Sequence, residues 1–410
     1  MKDLFIYTNP SDVAVVLRTD ADGDFIGKPD VEPVSGRSGF RVSFGGIDMH
    51  NGWGANLRIT KADYTPVSVR GILWLDRPGI GNYAEFIPDD YTLVPFESRV
   101  LPRLVARGHV FQQADGKRFT VIGCSDFNIL GLYATHPEMA EQVIRQRAKI
   151  GFNMLRVFTL MHLSQFGIGD LDPCPYDKIA GLCRLCAKYG LYVCFVGYTS
   201  TFDTGHWNRL GEACKSSTNA LLSLVNENDQ PANTIDPRAY QPIAGVLCSH
   251  GSNGSQQLAV RPVWDWEGFH TNGALEEQRK IGHNAMEMFS GTEDWAPGGA
   301  PVVTEETSRC LEVGMWVGAS AERARQLAYD SAAGAALLCA GSCFHSVQGK
   351  ASRLWTGIEL EAATAWAQGA KSVPLEFQDG RYVRVDDPAF LRTYQRVLPD
   401  GRAWTVQIRK

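Results

Sequence analysis

The stretch that decides the fold is Leu221-Leu222-Ser223-Leu224-Val225-Asn226-Glu227-Asn228-Asp229. Mostly apolar residues are followed directly by alternating amides and carboxylates. An apolar run of this length is typical of a strand that is buried on both faces. In an α/β fold, polar groups at the carboxyl end of such a strand lie where binding and catalysis take place. The stretch therefore predicts a buried strand that ends at a functional edge.

A second stretch has the same form. It reads Pro301-Val302-Val303-Thr304-Glu305-Glu306-Thr307, a short β-branched run that ends in glutamates. Because parallel strands carry their polar ends to the same edge of a sheet, Glu227 and one of these glutamates are expected to face one pocket. Two carboxyl groups in one pocket titrate at different pH, so one can serve as an acid and the other as a base or nucleophile.

Strands and helices alternate after residue 108. Eight strands are predicted near residues 120, 155, 193, 223, 248, 265, 303 and 338. Helical periodicity is found over residues 137–150, 176–189, 206–216, 275–289, 321–333 and 357–370. This count and alternation predict an α/β fold, a (β/α)₈ TIM barrel over residues 109–371, with the functional groups at the carboxyl ends of its strands.

The segments on either side of the barrel have the short alternating runs of β-structure. Residues 1–108 are predicted to form a β-sandwich-like accessory module, since Gly-containing turns separate their runs. The module is interpreted as a structural brace, with sugar binding through Trp53, Trp74 and Tyr83 as the alternative. Residues 372–410 are predicted to be a short C-terminal β segment that packs with the N-terminal module.

The composition narrows the function classes. The chain has 410 residues, 44% of them hydrophobic and 21% charged, and a net charge of −5, which is ordinary for a soluble enzyme-sized protein. Without a Lys/Arg cluster, nucleic acid is not an expected partner, and no apolar run reaches the ~18 residues of a membrane span. The start lacks the pattern of a secretory signal, so a cytoplasmic protein is expected, with release from the cell or a phage particle as the alternative.

The cysteines are expected to be reduced thiols. There are 10 of them, spread along the chain. Cys183 and Cys186 share one helical face with Ile179 and Leu182, which favours core packing over a metal or redox role. No metal and no cofactor is predicted, and the oligomeric state stays open.

Asn226-Glu227 after an apolar strand, and a later Pro301-Val302-Val303 run that ends in Glu, resemble the clan A retaining glycoside hydrolases, the cellulase, mannanase and β-galactosidase-like barrels. The resemblance implies that Glu227 is the acid/base and that Asn226 binds the sugar 2-hydroxyl. A Glu five positions after the Pro points to Glu306 as nucleophile, whereas a Thr-Glu dipeptide points to Glu305. Successive strand residues face opposite ways, so only one of the two is expected to face the barrel mouth, and Glu306 is preferred.

The resemblance also implies further substrate-binding residues. Arg156 lies on strand two, where the clan has an Arg that pairs with the nucleophile, and a lone arginine in an apolar strand is otherwise difficult to bury. His270 follows strand six, where many members have a His or Tyr. Aromatic residues in the predicted strand-end loops are candidate platforms or subsite residues for a sugar; these are Trp207, Trp266, Trp355 and Tyr198.

The predicted function is therefore a retaining glycoside hydrolase that cleaves β-glycosidic bonds of an oligo- or polysaccharide with two glutamates. The alternative is a non-catalytic carbohydrate-binding protein on a glycosidase-like barrel. A metal-dependent barrel hydrolase is disfavoured, because strand one ends Gly123-Cys124-Ser125-Asp126 without a His-x-His pair. The sugar, its linkage and the endo or exo mode are left open by the sequence.

Overall fold

The computed structural model describes residues 4–9, 14–18, 25–27, 30–33, 39–43, 54–60, 67–77, 81–85, 90–92, 100–161, 171–199, 203, 205–226, 235–251, 264–269, 300–307, 321–385 and 387–409. Before residue 100, and at residues 267, 269, 305–307, 384, 391 and 392, the description covers the backbone only. The chain divides into two compact units, residues 1–99 and 100–410.

The first unit consists of β-strands wherever it is described. Its strands are β1 (Leu4–Asn9), β2 (Ala14–Arg18), β3 (Phe25–Gly27), β4 (Asp30–Pro33), β5 (Gly39–Ser43), β6 (Gly54–Thr60), β7 (Val67–Arg77), β8 (Gly81–Glu85) and β9 (Asp90–Thr92). They form one sheet in the order β4-β5-β1-β9 and another in the order β3-β2-β6-β7-β8. Two sheets in one compact unit agree with the predicted β-sandwich-like module.

The second unit begins with a small antiparallel sheet. Its strands are β10 (Val105–Arg107), β11 (Val110–Gln112) and β12 (Arg118–Phe119). Because β10 pairs with β11, the unit starts at Val100, somewhat before the boundary at residue 108 that the sequence suggested. The turn Asp115-Gly116 joins β11 and β12, where Gly116 has a φ of 82°, a conformation that suits glycine.

Eight parallel strands form the largest sheet of the described chain. They are β13 (Val121–Ser125), β14 (Met154–Phe158), β15 (Tyr192–Tyr198), β16 (Ala220–Val225), β17 (Leu247–Ser249), β18 (Glu267–Phe269), β19 (Val302–Thr307) and β20 (Gly341–Phe344). Their order is β17-β16-β15-β14-β13-β20-β19-β18. The first barrel strand therefore pairs with the eighth.

The seam between β17 and β18 closes the sheet. Ser249 and Trp266 form a parallel bridge there. The Asp265 N–H donates to the Cys248 carbonyl at 2.9 Å, and the Cys248 N–H donates to the Asp265 carboxylate at 2.9 Å. Eight parallel strands closed in this way form a (β/α)₈ barrel, which confirms the predicted fold class.

Helices cover the outside of this barrel. They are α1 (Ile129–Thr135), α2 (Pro137–Ile150), α3 (Tyr176–Lys188), α4 (His206–Cys214), α5 (Ala321–Leu338), α6 (Val347–Lys350) and α7 (Gly357–Ser372). A single turn of 3-10 helix, Pro237–Ala239, lies between β16 and β17. The helix predicted over residues 275–289 lies outside the described residues. None of the described helices is long and apolar enough to cross a membrane.

Alternate residues of the barrel strands pack in two separate clusters. The inner cluster joins Val121, Met154 and Tyr192 to Trp266 and Cys343. Leu101, Leu104 and Phe111 belong to the same cluster, so the segment before the barrel fills its amino-terminal end. The outer cluster joins the intervening strand residues to the helices. Strands β13 to β16 are buried on both faces, as their apolar sequences predict.

The eighth strand is displaced from its predicted position. Residues 335–338 belong to α5, and β20 begins only at Gly341. Alanine is the best helix former, so the alanine-rich run continues the helix rather than forming a strand. Gly341 has a φ of 140°, and a Cβ on it would lie 2.1 Å from the Val121 carbonyl oxygen. Close approach of the first and eighth strands therefore requires glycine there.

The C-terminal segment forms a three-stranded antiparallel sheet. Its strands are β21 (Arg381–Val385), β22 (Phe390–Val397) and β23 (Ala403–Arg409). The Arg409 guanidinium donates to Asp330 of α5 at 2.7 and 3.0 Å, and Ile408 lies in the outer core cluster. Residues 375–377, which the sequence predicts as a strand, belong instead to a 3-10 helix, Leu375–Asp379. Packing of this segment with the N-terminal module stays a prediction.

Candidate active site

The inside of the barrel changes from apolar to polar along its axis. At the amino ends of the strands the inward residues form the apolar cluster described above. Nearer the carboxyl ends the inward positions hold Ser125, Arg156, Ser223 and Ser249, each with no solvent exposure. The strand register sets Ser125 beside Arg156 and Ser223 beside Ser249. We call these four residues the polar layer; it is the arrangement expected beneath a site at the carboxyl end.

Arg156 joins the second strand to the end of the fourth. Its Nη2 donates a hydrogen bond to Asn226 Oδ1 at 2.6 Å. A guanidinium can only donate, so the Asn226 atom that faces it must be the oxygen, and this fixes the orientation of the amide. The backbone of Asn226 is also held, since its N–H donates to the Tyr198 carbonyl at 2.8 Å. The structure thus brings together two of the predicted site residues.

Aromatic rings surround the Arg156 guanidinium. Phe127 and Phe158 are stacked, with ring centroids 3.7 Å apart, and the guanidinium carbon lies 5.5 and 5.2 Å from those centroids. The His345 ring, which follows β20, lies 5.2 Å from Phe127. Rings at this distance stabilise a cation and exclude water from it. The positive charge is therefore held at the barrel mouth in a medium of low polarity.

The strand that carries the two adjacent glutamates is irregular at that point. Thr304 pairs with Ser342, and Thr307 pairs with Phe344. Glu305 and Glu306 thus lie opposite one residue, Cys343, which is the register of a β-bulge. Side chains do not simply alternate at such a bulge. Alternation therefore does not restrict the barrel mouth to one of the two glutamates. Only the backbone of Glu305 and Glu306 is described.

Two predicted site residues lie outside the described chain. Glu227 directly follows Asn226, the last described residue of that stretch. His270 directly follows Phe269, the last residue of β18. Their assigned roles stay predictions.

Of the aromatic candidates, Trp355 and Trp207 lie in the outer core. Trp355 is 1% exposed, and the Arg147 guanidinium carbon lies 3.5 Å from the centroid of its ring. Trp207 packs against Trp264, and its ring N–H donates to the Gln241 carbonyl at 2.9 Å. Neither position supports the expected role as a platform for sugar stacking, because a platform needs an uncovered ring face.

Trp266 and Tyr198 are also covered. Trp266 is 1% exposed and contacts Phe111 in the apolar cluster inside the barrel. Tyr198 donates its hydroxyl hydrogen to the Asp203 carbonyl at 2.7 Å, and burial raises the pKa of this phenol. Residues after a strand looked like loop residues in the sequence, but their burial depends on chain segments that are distant in sequence.

His250 is a buried histidine near the barrel mouth that the sequence did not indicate. It follows β17, is fully buried, and packs edge-to-face on Trp264 with ring centroids 6.0 Å apart. A histidine directly after a short strand, followed by Gly251, was the available signal. It was weak because β17 has only three residues.

A buried ion pair supports the loop that follows the eighth strand. The Arg147 guanidinium donates to the Asp126 carboxylate at 2.9 and 3.0 Å, and neither side chain is exposed. Arg147 also donates to the Arg353 carbonyl at 2.6 Å. Burial raises the pKa of Asp126, and the Arg147 charge opposes this effect. The pair ties α2 and the end of β13 to the loop that begins at His345.

No protein-family model and no curated protein sequence matches this chain. Solved structures similar to it include mannanases and other glycoside hydrolases. One glycoside hydrolase is 16% identical, with a TM-score of 0.39 over 60% of this chain and 65% of that chain. An endo-1,4-β-mannanase from Rhizomucor miehei is 14% identical, with a TM-score of 0.41 over 59% and 90%. A β-mannanase from the blue mussel Mytilus edulis is 11% identical, with a TM-score of 0.42 over 66% and 97%.

Proposed function

We propose that this protein is a retaining glycoside hydrolase that cleaves β-glycosidic bonds of an oligo- or polysaccharide. The observation that carries the proposal is the hydrogen bond from Arg156, a residue of the polar layer, to Asn226 at the end of β16. It holds an amide and a fixed positive charge at the carboxyl ends of two barrel strands. Glu227 is the next residue after that amide, and Glu305 and Glu306 belong to β19 on the other side of the barrel.

The two carboxyl groups have different tasks. The carboxylate of a glutamate on β19 attacks the anomeric carbon. At the same time, Glu227 donates its proton to the departing glycosidic oxygen. This forms a covalent glycosyl–enzyme ester and releases the first product. Water then attacks the same carbon, Glu227 takes a proton from it, and the carboxylate of β19 leaves. The anomeric configuration of the product is therefore that of the substrate.

Arg156 and Asn226 serve this reaction without exchanging protons. A guanidinium in a medium of low polarity stabilises a nearby carboxylate, so it would keep the nucleophile ionised. The Asn226 amide, turned with its oxygen toward Arg156, is oriented to offer its N–H groups to a sugar hydroxyl. Such a hydrogen bond strengthens as positive charge develops on the sugar ring in the transition state.

Glu306 is proposed as the nucleophile, with Glu305 as its competitor. The spacing from Pro301 favours Glu306, as in the clan that the sequence resembles. The bulge register gives both residues the same partner, Cys343, and so does not rank them. His270 is proposed to contact the substrate next to the nucleophile.

The test is a set of Glu→Gln variants assayed on a panel of aryl β-glycosides and β-linked polysaccharides, with NMR of the first-formed anomer. We expect Glu227→Gln to lower kcat on unactivated substrates by about 10²–10⁴-fold. We expect Glu306→Gln to be inactive and Glu305→Gln to keep activity. Glu322→Gln, an exposed residue in the first turn of α5, is the matched control.

Three outcomes would overturn the proposal. Wild-type protein that binds glycans but cleaves none of the panel would be a carbohydrate-binding protein. An inverted product would exclude the glycosyl–enzyme ester. Full activity of Glu227→Gln on unactivated substrates would exclude that residue as proton donor.

A further inference from the structure

The backbone after the fifth strand touches the backbone at the end of the fourth. Gly251 has a φ of 98°, and a Cβ on it would lie 1.9 Å from the Val225 carbonyl oxygen, 2.8 Å from the Val225 carbonyl carbon and 2.9 Å from its nitrogen. These are backbone atoms of an inner barrel strand, which cannot rotate away as a flexible side chain can. A side chain at position 251 therefore requires the end of β16 to move.

Val225 is the residue that leads into Asn226 and Glu227. On its other side, the Asn226 N–H donates to the Tyr198 carbonyl of β15 at 2.8 Å. The end of β16 thus lies between β15 and Gly251, with no free space toward Gly251. Any displacement that Gly251 imposes is passed to the two residues that follow Val225 in the chain.

Ser249 holds Gly251 in this place. The Ser249 hydroxyl oxygen accepts the Gly251 N–H at 3.2 Å and the Gly268 N–H at 3.0 Å. One oxygen therefore links the turn after β17 to β18 across the seam that closes the barrel. These two hydrogen bonds fix the turn to the barrel.

We propose that Gly251 is a positioning residue, which sets the end of β16 so that Glu227 is placed to protonate the leaving group. The inference rests on the proposed function. A misplacement of roughly 1 Å at a catalytic group can cost on the order of 100-fold in rate. Because Gly251 acts through the proton donor, its replacement should affect only substrates whose leaving group needs a proton.

The experiment compares Gly251→Ala with Gly245→Ala. Gly245 precedes β17, the strand that Gly251 follows. It has a φ of 82°, but a Cβ on it would have nothing within 4 Å. Both substitutions introduce backbone strain because both glycines have a positive φ, and only the methyl group at position 251 meets the Val225 backbone. Each variant is assayed on the phenyl and the 2,4-dinitrophenyl β-glycoside of the sugar that wild-type protein hydrolyses. The phenyl group leaves only when protonated, whereas dinitrophenolate leaves unaided.

We expect Gly251→Ala to lower kcat/KM on the phenyl glycoside by about 100-fold and to change it little on the dinitrophenyl glycoside. Gly245→Ala should keep the wild-type ratio of kcat/KM on the phenyl glycoside to kcat/KM on the dinitrophenyl glycoside. Equal losses on both substrates in a folded Gly251→Ala protein would overturn the inference, and so would a wild-type ratio. The same selective loss in Gly245→Ala would overturn it too, because the cause would then be backbone strain.

Two further variants separate the possible failures. Glu227→Gln should show the same selective loss, and if it does not, the proposed function fails rather than the role of Gly251. If Gly251→Ala does not fold, Ser249→Ala decides, since it removes the acceptor of the Gly251 N–H and adds no atom. A selective loss in Ser249→Ala, smaller than that of Glu227→Gln, supports the inference, and a wild-type ratio overturns it.

Discussion

Arg156 occupies a position that is costly for a charge. It has no solvent exposure and lies on a strand that is buried throughout. Burying an isolated ion is unfavourable unless hydrogen bonds and polarisable neighbours compensate. Asn226 supplies an oxygen at 2.6 Å, and two phenyl rings lie over the guanidinium. An arrangement this specific is more easily explained by a task at the barrel mouth than by stability.

His206 is a second buried polar residue, and its burial makes the stability of the protein depend on pH. Its ring nitrogens lie 2.5 Å from the Tyr176 hydroxyl and 3.0 Å from the Thr159 hydroxyl. Burial lowers the pKa of His206 to about 4. Below a pH of about 6.5 the unfolded chain binds a proton there, and the folded chain does not until about pH 4. The free energy of unfolding is therefore expected to fall as the pH drops through this window.

The contribution of His206 to this fall is up to roughly 3 kcal/mol. We expect His206→Gln to flatten the pH dependence of the free energy of unfolding, measured by urea titration between about pH 7 and pH 4. His136→Gln, at an exposed position, is the control. An unchanged slope in His206→Gln would contradict the prediction.

At the scale of elements, helix α2 is tied to the barrel by its buried arginine. Arg147 pairs with Asp126 at the end of β13 and covers the ring of Trp355. Removing one partner of a buried pair leaves an uncompensated charge, so Arg147→Met is expected to lower the free energy of unfolding by about 3–5 kcal/mol. The double variant Asp126→Asn/Arg147→Met should lose less free energy of unfolding than Arg147→Met alone, because no buried charge is left unpaired. Lys149→Met, an exposed position on the same helix, should be close to wild type.

The free energy of unfolding of Arg147→Met is expected to depend on pH with a definite sign. Burial raises the pKa of Asp126, and without Arg147 only the hydrogen bonds from Cys124 and Ser352 oppose that effect. The folded chain then binds a proton that the unfolded chain releases above a pH of about 4, so stability falls as pH rises. We expect the loss in Arg147→Met to be larger at about pH 8 than at about pH 5, as measured by urea titration. The opposite trend would show that Asp126 stays ionised in the variant.

At the scale of the molecule, the C-terminal sheet belongs to the core of the second unit. Ile408 is 0% exposed and shares a cluster with Trp366 of α7 and Phe377. Ile408→Ala is expected to lower the free energy of unfolding by about 2–5 kcal/mol. The barrel helices and the sheet should unfold in one transition, followed by far-UV circular dichroism in urea.

Gln407→Ala provides the control for this prediction. It lies beside Ile408 on the exposed face of β23 and should change stability little. If Ile408→Ala disrupts the C-terminal sheet but leaves the urea midpoint of the helical circular dichroism signal unchanged, the sheet unfolds independently of the barrel.

The sequence by itself determined the barrel, and it placed Asn226 at the carboxyl end of a buried strand and Arg156 within another. Their roles in catalysis stay predictions. The placements follow from local patterns, because a buried parallel strand must be apolar and a catalytic group must lie at its carboxyl end. The positions of His250 and of the eighth strand were less certain, since a three-residue strand and an alanine-rich run have little periodicity.

Only the tertiary structure decided which aromatic rings lie in the core and which glycine touches the end of β16. Trp355 is covered by an arginine some two hundred positions earlier in the chain, so its own neighbours in sequence could not indicate its burial. Gly245 and Gly251 are alike in residue type and backbone conformation, yet one faces open space and the other the Val225 backbone. The proposed role of Gly251 depends on this contact with Val225, which joins residues 26 positions apart and exists only because the fold places the ends of β16 and β17 side by side.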